Sequence, residues 1–328
     1  MMKIEFWLIL CLSIVTATAQ AEVPPSKQLN AFIDKMVKLH QFERPALESL
    51  FKRVNIKQNI LDTMAKPAEA MPWYKYRKIF LQPSRIEGGV KFWQTHAAVL
   101  QASEQQYGVP PEIITAIIGV ETLYGKRTGN YRVIDALATL GFAYPKRSRF
   151  FLHELENFLL LTQKEQLDPL QPKGSYAGAM GMPQFMPSSY LSYAADFEHD
   201  GKHDIWNNPA DVIVSIANYF ARHHWQKGQA VAYPVAAEGD LWKQGITPGL
   251  KPEQTLADLR RLDIYAPEHL NEKTALKLLR FEQAEGQSLW IGLDNFYVIT
   301  RYNHSPLYAM AVYQLSQAIK TRYQALKP

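Results

Sequence analysis

The stretch Pro110-Pro-Glu-Ile-Ile-Thr-Ala-Ile-Ile-Gly-Val-Glu-Thr-Leu-Tyr-Gly125 predicts a helix with its own start and stop. Two prolines open it, Glu112 stands in the first turn, and Gly125 marks the exit. Ile114, Ile117 and Ile118 recur at helical spacing, and the next position on that stripe is Glu121. A carboxyl on the apolar side of a helix is disfavoured in its charged form, so its pKa rises and it can keep a proton near neutrality. A general acid needs that property. A buried carboxyl paired with an arginine, or one at the stripe's edge reaching water, would leave the same pattern.

Three neighbouring segments bear on the choice. In Lys173-Gly-Ser-Tyr-Ala-Gly-Ala-Met-Gly-Met-Pro-Gln-Phe-Met-Pro-Ser-Ser189, Gly178 and Gly181 sit among small residues and let a ligand or another backbone approach closely. Gln184 brings an amide with two donors and an acceptor, which suits the hydroxyl and N-acetyl groups of a sugar. A tightly packed helix connection is the other reading of this segment. From Lys126 to Arg149, the basic residues Lys126, Arg127, Arg132, Lys146, Arg147 and Arg149 face one acidic residue, Asp135. That excess suits an anionic polymer, or a solvated face. In Ile299-Thr-Arg-Tyr-Asn-His-Ser-Pro-Leu-Tyr308, the residues Tyr302, Asn303 and Tyr308 join flat faces to polar tips that can stack on and hydrogen-bond sugar rings. No Asp or Glu occurs between Pro169 and Ala195, or from Thr122 to Ile134. The second carboxyl of an ordinary hydrolytic glycosidase is therefore not evident near these motifs.

The chain has 328 residues, 47% of them hydrophobic and 12% aromatic, with a net charge of +5. A large core is available. The small basic excess suits an anionic partner and is too weak for a nucleic-acid binder. Lys3, an apolar run from Phe6 to Val15, and Ala19-Gln-Ala21 form an export signal too short to span a membrane. Cleavage after Ala21 and release as a soluble exported chain are expected. Cys11, the only cysteine, falls inside that segment, and bulky Leu10 before it argues against a lipid anchor. The mature chain then has no disulfide.

Mainly α structure is expected. Residues 22–108 read as an α domain of amphipathic helices, including about Ser26–Leu39, a helix containing Ala46–Phe51, and a longer one over Phe92–Gln106 that stops near Gly108. Residues 109–227 read as a helical catalytic core broken by glycine and proline loops. Residues 228–300 read as a small mixed β subdomain, with Ser288–Thr300 forming strands around a turn. Residues 301–308 return to the site, and a final helix in 305–328 completes the α domain.

Asp196-Phe-Glu-His-Asp-Gly-Lys-His-Asp-Ile-Trp-Asn207 resembles a calcium loop, with Asp196, Glu198, Asp200 and Asp204 at ligand positions and Gly201 at the sharp turn. It departs from the pattern at Glu198, which is long, and at Asn207, where a bidentate Glu is usual. Asp211 could supply the missing carboxylate. An acidic turn capping the helix that begins near Pro209 is the alternative. Adjacent His223 and His224 point apart on a helix and do not suggest a transition metal.

At these residues the chain resembles the membrane-bound lytic murein transglycosylase B family. The matching stretches are Gly119–Gly125, Ser175–Gly181, Gln184–Ser189, Asp204–Trp206, Ala217–Phe220 and Arg301–Asn303, in the family's order. The resemblance spans about residues 28 to 325. It implies a lysozyme-like helical core with an N-terminal α domain and a small β-containing subdomain. It implies cleavage of the β-1,4 bond between N-acetylmuramic acid and N-acetylglucosamine in peptidoglycan, leaving a 1,6-anhydro end and using no required cofactor. The family's acid/base falls on Glu121. Its glycan contacts fall on Ser175, Gln184, Tyr219, Tyr302, Asn303 and Tyr308, with Lys146 and Arg147 near the peptide stem or a neighbouring sugar. A periplasmic monomer acting on glycan strands, with peptidoglycan synthases or amidases as recruiting partners, is the expectation. A muramidase that hydrolyses the same bond and a non-catalytic wall-binding protein are the rival readings.

Overall fold

The computed structural model describes residues 21–22, 27–65 and 71–326. The export signal up to Gln20, with Cys11, lies outside the described residues, and Ala21–Glu22 pairs antiparallel with Asn55–Ile56. Among the described residues no helix is long and apolar enough to cross a membrane.

Helices at Lys27–His40, Arg44–Phe51, Gln58–Ala65, Trp73–Phe80, Pro83–Thr95 and Ala97–Tyr107 lead into the predicted helix, which spans Pro111–Thr122. The long helix expected over Phe92–Gln106 is instead two. His96, at φ −114° and ψ 25°, leaves the helical region and bends the chain between them. Its ring stays on Phe92 at 4.5 Å, a contact between neighbours four residues apart that a continuous helix would also allow. Gly108 ends the second piece in the left-handed conformation, φ 75°, as its composition predicts.

Helices Val133–Ala143, Ser148–Lys164, Pro187–Tyr193 and Pro209–Arg222 build the middle of the chain. The last helix, Pro306–Gln324, packs against Pro111–Thr122, Pro83–Thr95 and Trp73–Phe80. One continuous apolar core therefore runs from Leu29 to Ile319. Lys320 on the last helix pairs at 2.8 Å with Glu112, an acid in the first turn of the Pro111 helix.

A five-stranded antiparallel sheet has the order Gln254–Thr255, Ala275–Glu282, Gln287–Gly292, Ala232–Ala237, Ile264–Tyr265. Along the strand Ala275–Glu282, alternate residues serve two cores. Leu276 and Leu278 join a small one with Trp242, Leu256 and Leu259, while Leu279 and Phe281 join the main one. This two-sided burial seats the sheet on the helical body, where Phe281 meets Trp73 at 5.3 Å. The expected strand pair over Ser288–Thr300 is half right. Gln287–Gly292 is a strand, but Asp294–Tyr302 is a helix. Asn295, Phe296, Val298, Ile299 and Thr300 are its buried residues, and Asn295, Phe296, Ile299 and Thr300 among them recur at a helical spacing that β-branched and aromatic composition concealed.

Candidate active site

The Pro111–Thr122 helix is buried on every side from Pro111 to Gly119, so it is a central core helix and not the one-striped helix expected. Val120 and Glu121 are the first residues on it to regain partial exposure. The helix thus delivers a carboxyl where it emerges from the core. Leu123 and Tyr124 then adopt left-handed backbone, φ 51° and 59°, and Gly125 follows at 81°. The Tyr124 N–H closes back on the Ile118 carbonyl at 3.2 Å, ending the helix.

Glu121 is half-buried and closely ringed by protein atoms. Burial pushes its pKa up to about 7, and a hydrogen bond from the Tyr308 phenol, 2.5 Å to Oε1, opposes the rise by favouring the carboxylate. Tyr308 is 3% exposed and sits in the first turn of the last helix, which Ser305 caps by accepting the Tyr308 N–H. The charge of Glu121 also raises the pKa of Tyr302, after burial, and that of Tyr76 on the Trp73–Phe80 helix. Tyr76 was not singled out from sequence, since nothing in its spacing marks it.

The segment from Gly174 to Phe185 is held at the end of the Glu121 helix. Thr122 Oγ1 donates to the Met182 carbonyl at 3.0 Å, tying the segment to the end of the Glu121 helix. Bridges join Gly174 to Met180 and Met180 to Phe185. Gln184 is left-handed, φ 53°, and its amide donates to the carbonyls of Thr128 at 3.1 Å and Gly181 at 2.9 Å. Both amide hydrogens are therefore used within the protein, and the carbonyl oxygen is the group left to meet a ligand. Ser175 Oγ accepts from the N–H groups of Ala179 at 3.0 Å and Ala177 at 3.3 Å, which leaves its hydroxyl proton to donate.

Tyr302 donates to the Pro183 carbonyl at 2.7 Å and Tyr219 to the Arg301 carbonyl at 2.7 Å. Their rings lie 4.8 Å apart and both contact Phe185. With their hydroxyls so used, these two tyrosines act as an aromatic wall that buttresses the Gln184 turn. Asn303 is exposed at the end of the Asp294–Tyr302 helix. Glu121, Gln184, Tyr219, Tyr302 and Tyr308 are thus brought into one assembly, with Ser175 joined to it through the Gly174–Met180 bridge.

Lys146 and Arg147 stand apart from that assembly. They lie in a short 3-10 turn, and with Gln28, Phe32, Lys35, Arg149 and Phe150 they line a groove of about 1160 Å³. The Arg147 guanidinium sits 4.3 Å over the Phe150 ring. The basic run is also weaker than it reads. Arg132 is held by Asp135 at 2.8 Å, and Asp135, 1% exposed, also accepts the Asn55 N–H.

In the acidic loop, Asp196, Glu198 and Asp211 bring carboxylate oxygens within 4.8 Å of one another. Asp196 Oδ1 is buried without a hydrogen-bond partner. Burial raises the pKa of Asp211; N–H groups of Phe197 and Asp204 oppose the rise, and the charges of Glu198 and Asp196 add to it. A lone buried oxygen beside mutually repelling carboxylates fits a hard cation. Asp200 and Asp204 serve the loop itself, accepting the N–H groups of Lys202 at 2.8 Å and Trp206 at 2.9 Å respectively. Asn208, accepting from Ala210, caps the helix that follows.

Comparison with known proteins reaches nearly the whole chain. The transglycosylase SLT domain matches residues 25–317. Membrane-bound lytic murein transglycosylase B of Escherichia coli (strain K12) is 46% identical over 298 residues, which is 88% of this chain and 81% of that protein. The crystal structure of soluble lytic transglycosylase SltB1 from Pseudomonas aeruginosa superposes with a TM-score of 0.87 at 47% identity, covering 90% of this chain and 99% of that one. The Escherichia coli lytic transglycosylase SLT35 in complex with calcium superposes with a TM-score of 0.85 at 42% identity, covering 93% of this chain and 96% of that one.

Proposed function

This chain belongs to the transglycosylase SLT domain family, and on that premise we propose that it is a peptidoglycan lytic transglycosylase with Glu121 as its single acid and base. It cleaves the β-1,4 bond between N-acetylmuramic acid and N-acetylglucosamine on a mainly α, lysozyme-like scaffold. The observation that carries the reading is Glu121 itself, whose pKa near 7 comes from burial and whose one opposing influence is Tyr308. Among the described residues the influences on it are burial and Tyr308, with no second carboxylate of the kind that paired acids in a hydrolytic glycosidase supply.

The acid form of Glu121 gives its proton to the bridging oxygen, and the bond to the anomeric carbon breaks. The new carboxylate takes the proton of the muramic acid 6-hydroxyl, and that oxygen closes on the anomeric carbon to give the 1,6-anhydro ring. The proton lost in the first step is regained in the second, and no water is consumed. Because the nucleophile belongs to the same sugar, it needs no separately activated water. Tyr308 supports this exchange, since a phenol donating to Oε1 steadies the carboxylate formed midway.

We assign the Gln184 carbonyl oxygen, the Ser175 hydroxyl and the exposed Asn303 amide to the glycan, and the rings of Tyr219 and Tyr302 to the wall behind it. The chemistry uses protons and the sugar's own hydroxyl, so no cofactor takes part. The Asp196, Glu198 and Asp211 cluster is assigned to a structural calcium ion, in keeping with the calcium complex of the SLT35 relative. We place the protein in the periplasm as a monomer on glycan strands, with peptidoglycan synthases or amidases as the partners that would recruit it.

Mass spectrometry of digested peptidoglycan tests the proposal. Anhydro ends from the natural protein, and none from Glu121→Gln, are expected. Reducing ends would identify a hydrolase, and binding without released fragments a wall-binding protein.

A further inference from the structure

We propose that Tyr124, together with Arg85, is a positioning residue for Glu121, a lock on the last turn of the acid's helix that keeps the carboxyl against Tyr308. The inference rests on the reading of Glu121 as the acid and base.

Leu123 and Tyr124 are consecutive non-glycine residues in the left-handed region, directly after the Glu121 turn. Each costs on the order of 1 kcal/mol or more, and such strain persists only where the surroundings over-determine it. The Tyr124 side chain is what the reversal achieves. It turns the ring back under the helix it has just left.

Three glycines admit that ring. A methyl group on Gly88 would meet Tyr124 Cε2 at 2.8 Å, and one on Gly89 or Gly119 would meet its hydroxyl at 2.6 or 2.5 Å. All three lie inside helices, Pro83–Thr95 and Pro111–Thr122, where glycine is about 1 kcal/mol worse than alanine. Their helical cost is balanced by the close approach they allow. Phe92 stacks on the ring at 5.8 Å with a 30° interplanar angle.

The polar contacts run in series from Tyr124 through Arg85 to Gly119. The Tyr124 hydroxyl donates to the Arg85 carbonyl at 2.7 Å, and the Arg85 guanidinium donates to the Gly119 carbonyl. Gly119 lies two residues before Glu121, in the same turn. The Pro83–Thr95 helix thus grips the Glu121 turn from one side, while Thr122 holds it to Met182 and Tyr308 holds the carboxyl itself. Burial pushes the Tyr124 phenol up and the Arg85 guanidinium down. A carboxyl that donates at one substrate oxygen and then accepts at another has little tolerance for displacement. A shift of about 1 Å costs on the order of a hundredfold in rate.

The test compares Tyr124→Phe, which keeps the ring, and Arg85→Lys with the natural protein on soluble glycan fragments, below each variant's melting temperature. Loss of the lock is expected to lower kcat about tenfold with KM within about twofold. It is expected to move the alkaline limb of kcat upward, because a looser Tyr308 bond no longer favours the carboxylate. A lowered melting temperature with unchanged kcat and pH profile would make Tyr124 a core filler and overturn the inference. So would a fall in kcat with the alkaline limb unmoved. Should Tyr124→Phe not fold, Arg85→Lys gives the same readouts. Glu121→Gln is run alongside: its inactivity beside a fully active Tyr124→Phe sinks only the lock, whereas its activity sinks the underlying role of Glu121.

Discussion

Tyr308 and Glu121 lie 187 residues apart in the chain and share a 2.5 Å hydrogen bond from phenol to carboxyl. Two influences of opposite sign meet at that bond. Burial favours the acid that begins the reaction, and the phenol favours the carboxylate that completes it. A group that must be both acid and base near neutrality is best served by such a balance.

The pH dependence follows with a definite sign. The first step needs protonated Glu121, so kcat is expected to be high below neutrality and to fall as pH rises through about 7. Tyr308→Phe removes the donor that favours the carboxylate, so the alkaline limb moves to higher pH while the maximal rate drops. A limb that stays in place, or moves down, would contradict the role given to Tyr308. Steady-state kinetics across pH 5 to 9, flanking the value of about 7, reads it.

Stability should fall with rising pH in the same direction as activity. The carboxyl of Glu121 is raised from an ordinary 4.5 to about 7 in the folded state, so stability is lost as pH rises between those values. Glu121→Gln carries no such burden. It is expected to match the natural protein near pH 4 and to exceed it by about 1–3 kcal/mol at pH 8. Urea unfolding at the two pH values measures the difference, and equal gains at both would refute it.

Calcium is expected to raise the melting temperature by several degrees, and EDTA to reverse the gain. Asp196→Ala, which removes the unpartnered buried oxygen, should abolish the response. Activity measured at a temperature where both forms are folded should change little. A melting temperature indifferent to calcium would leave the loop an acidic turn.

Gly129→Ala is expected to be severe. Gly129 has φ 95°, and a methyl group there would come within 2.6 Å of the Ser175 backbone nitrogen. A loss above about 2 kcal/mol, with weaker glycan cleavage through displacement of the Ser175 turn, is the expected outcome. Gly201→Ala meets nothing within 4 Å and is the control for the left-handed conformation alone. Similar effects of the two on activity would count against the Ser175 assignment.

Much of the candidate site is legible along the chain because its parts are local. Prolines at a helix start, isoleucines at helical spacing and a glycine at the exit place Glu121 on a helix that ends beside it. The small-residue run after Lys173 shows as a tight turn with Gln184 at its end. What misled was also local. Ser288 to Thr300 is β-branched and aromatic enough to read as strands throughout, yet after Gly292, Phe296 and Ile299 bury one side of a helix against the main core. Phe92 to Gln106 reads as helical throughout, yet the backbone breaks at His96.

By itself the sequence determined which residues could carry a proton and where the chain would turn. Propensity, periodicity and capping act over a few neighbours and are written in residue order. Only the tertiary structure decided which hydroxyls are already occupied, as those of Tyr219 and Tyr302 are, and which carboxyl meets a phenol. It also decided that Asp135 is a buried partner of Arg132 and not a counterion on an open basic face. Hydrogen-bond partners and burial are set by segments far apart in the chain, and their effect on a proton depends on the low-dielectric surroundings that those segments create together.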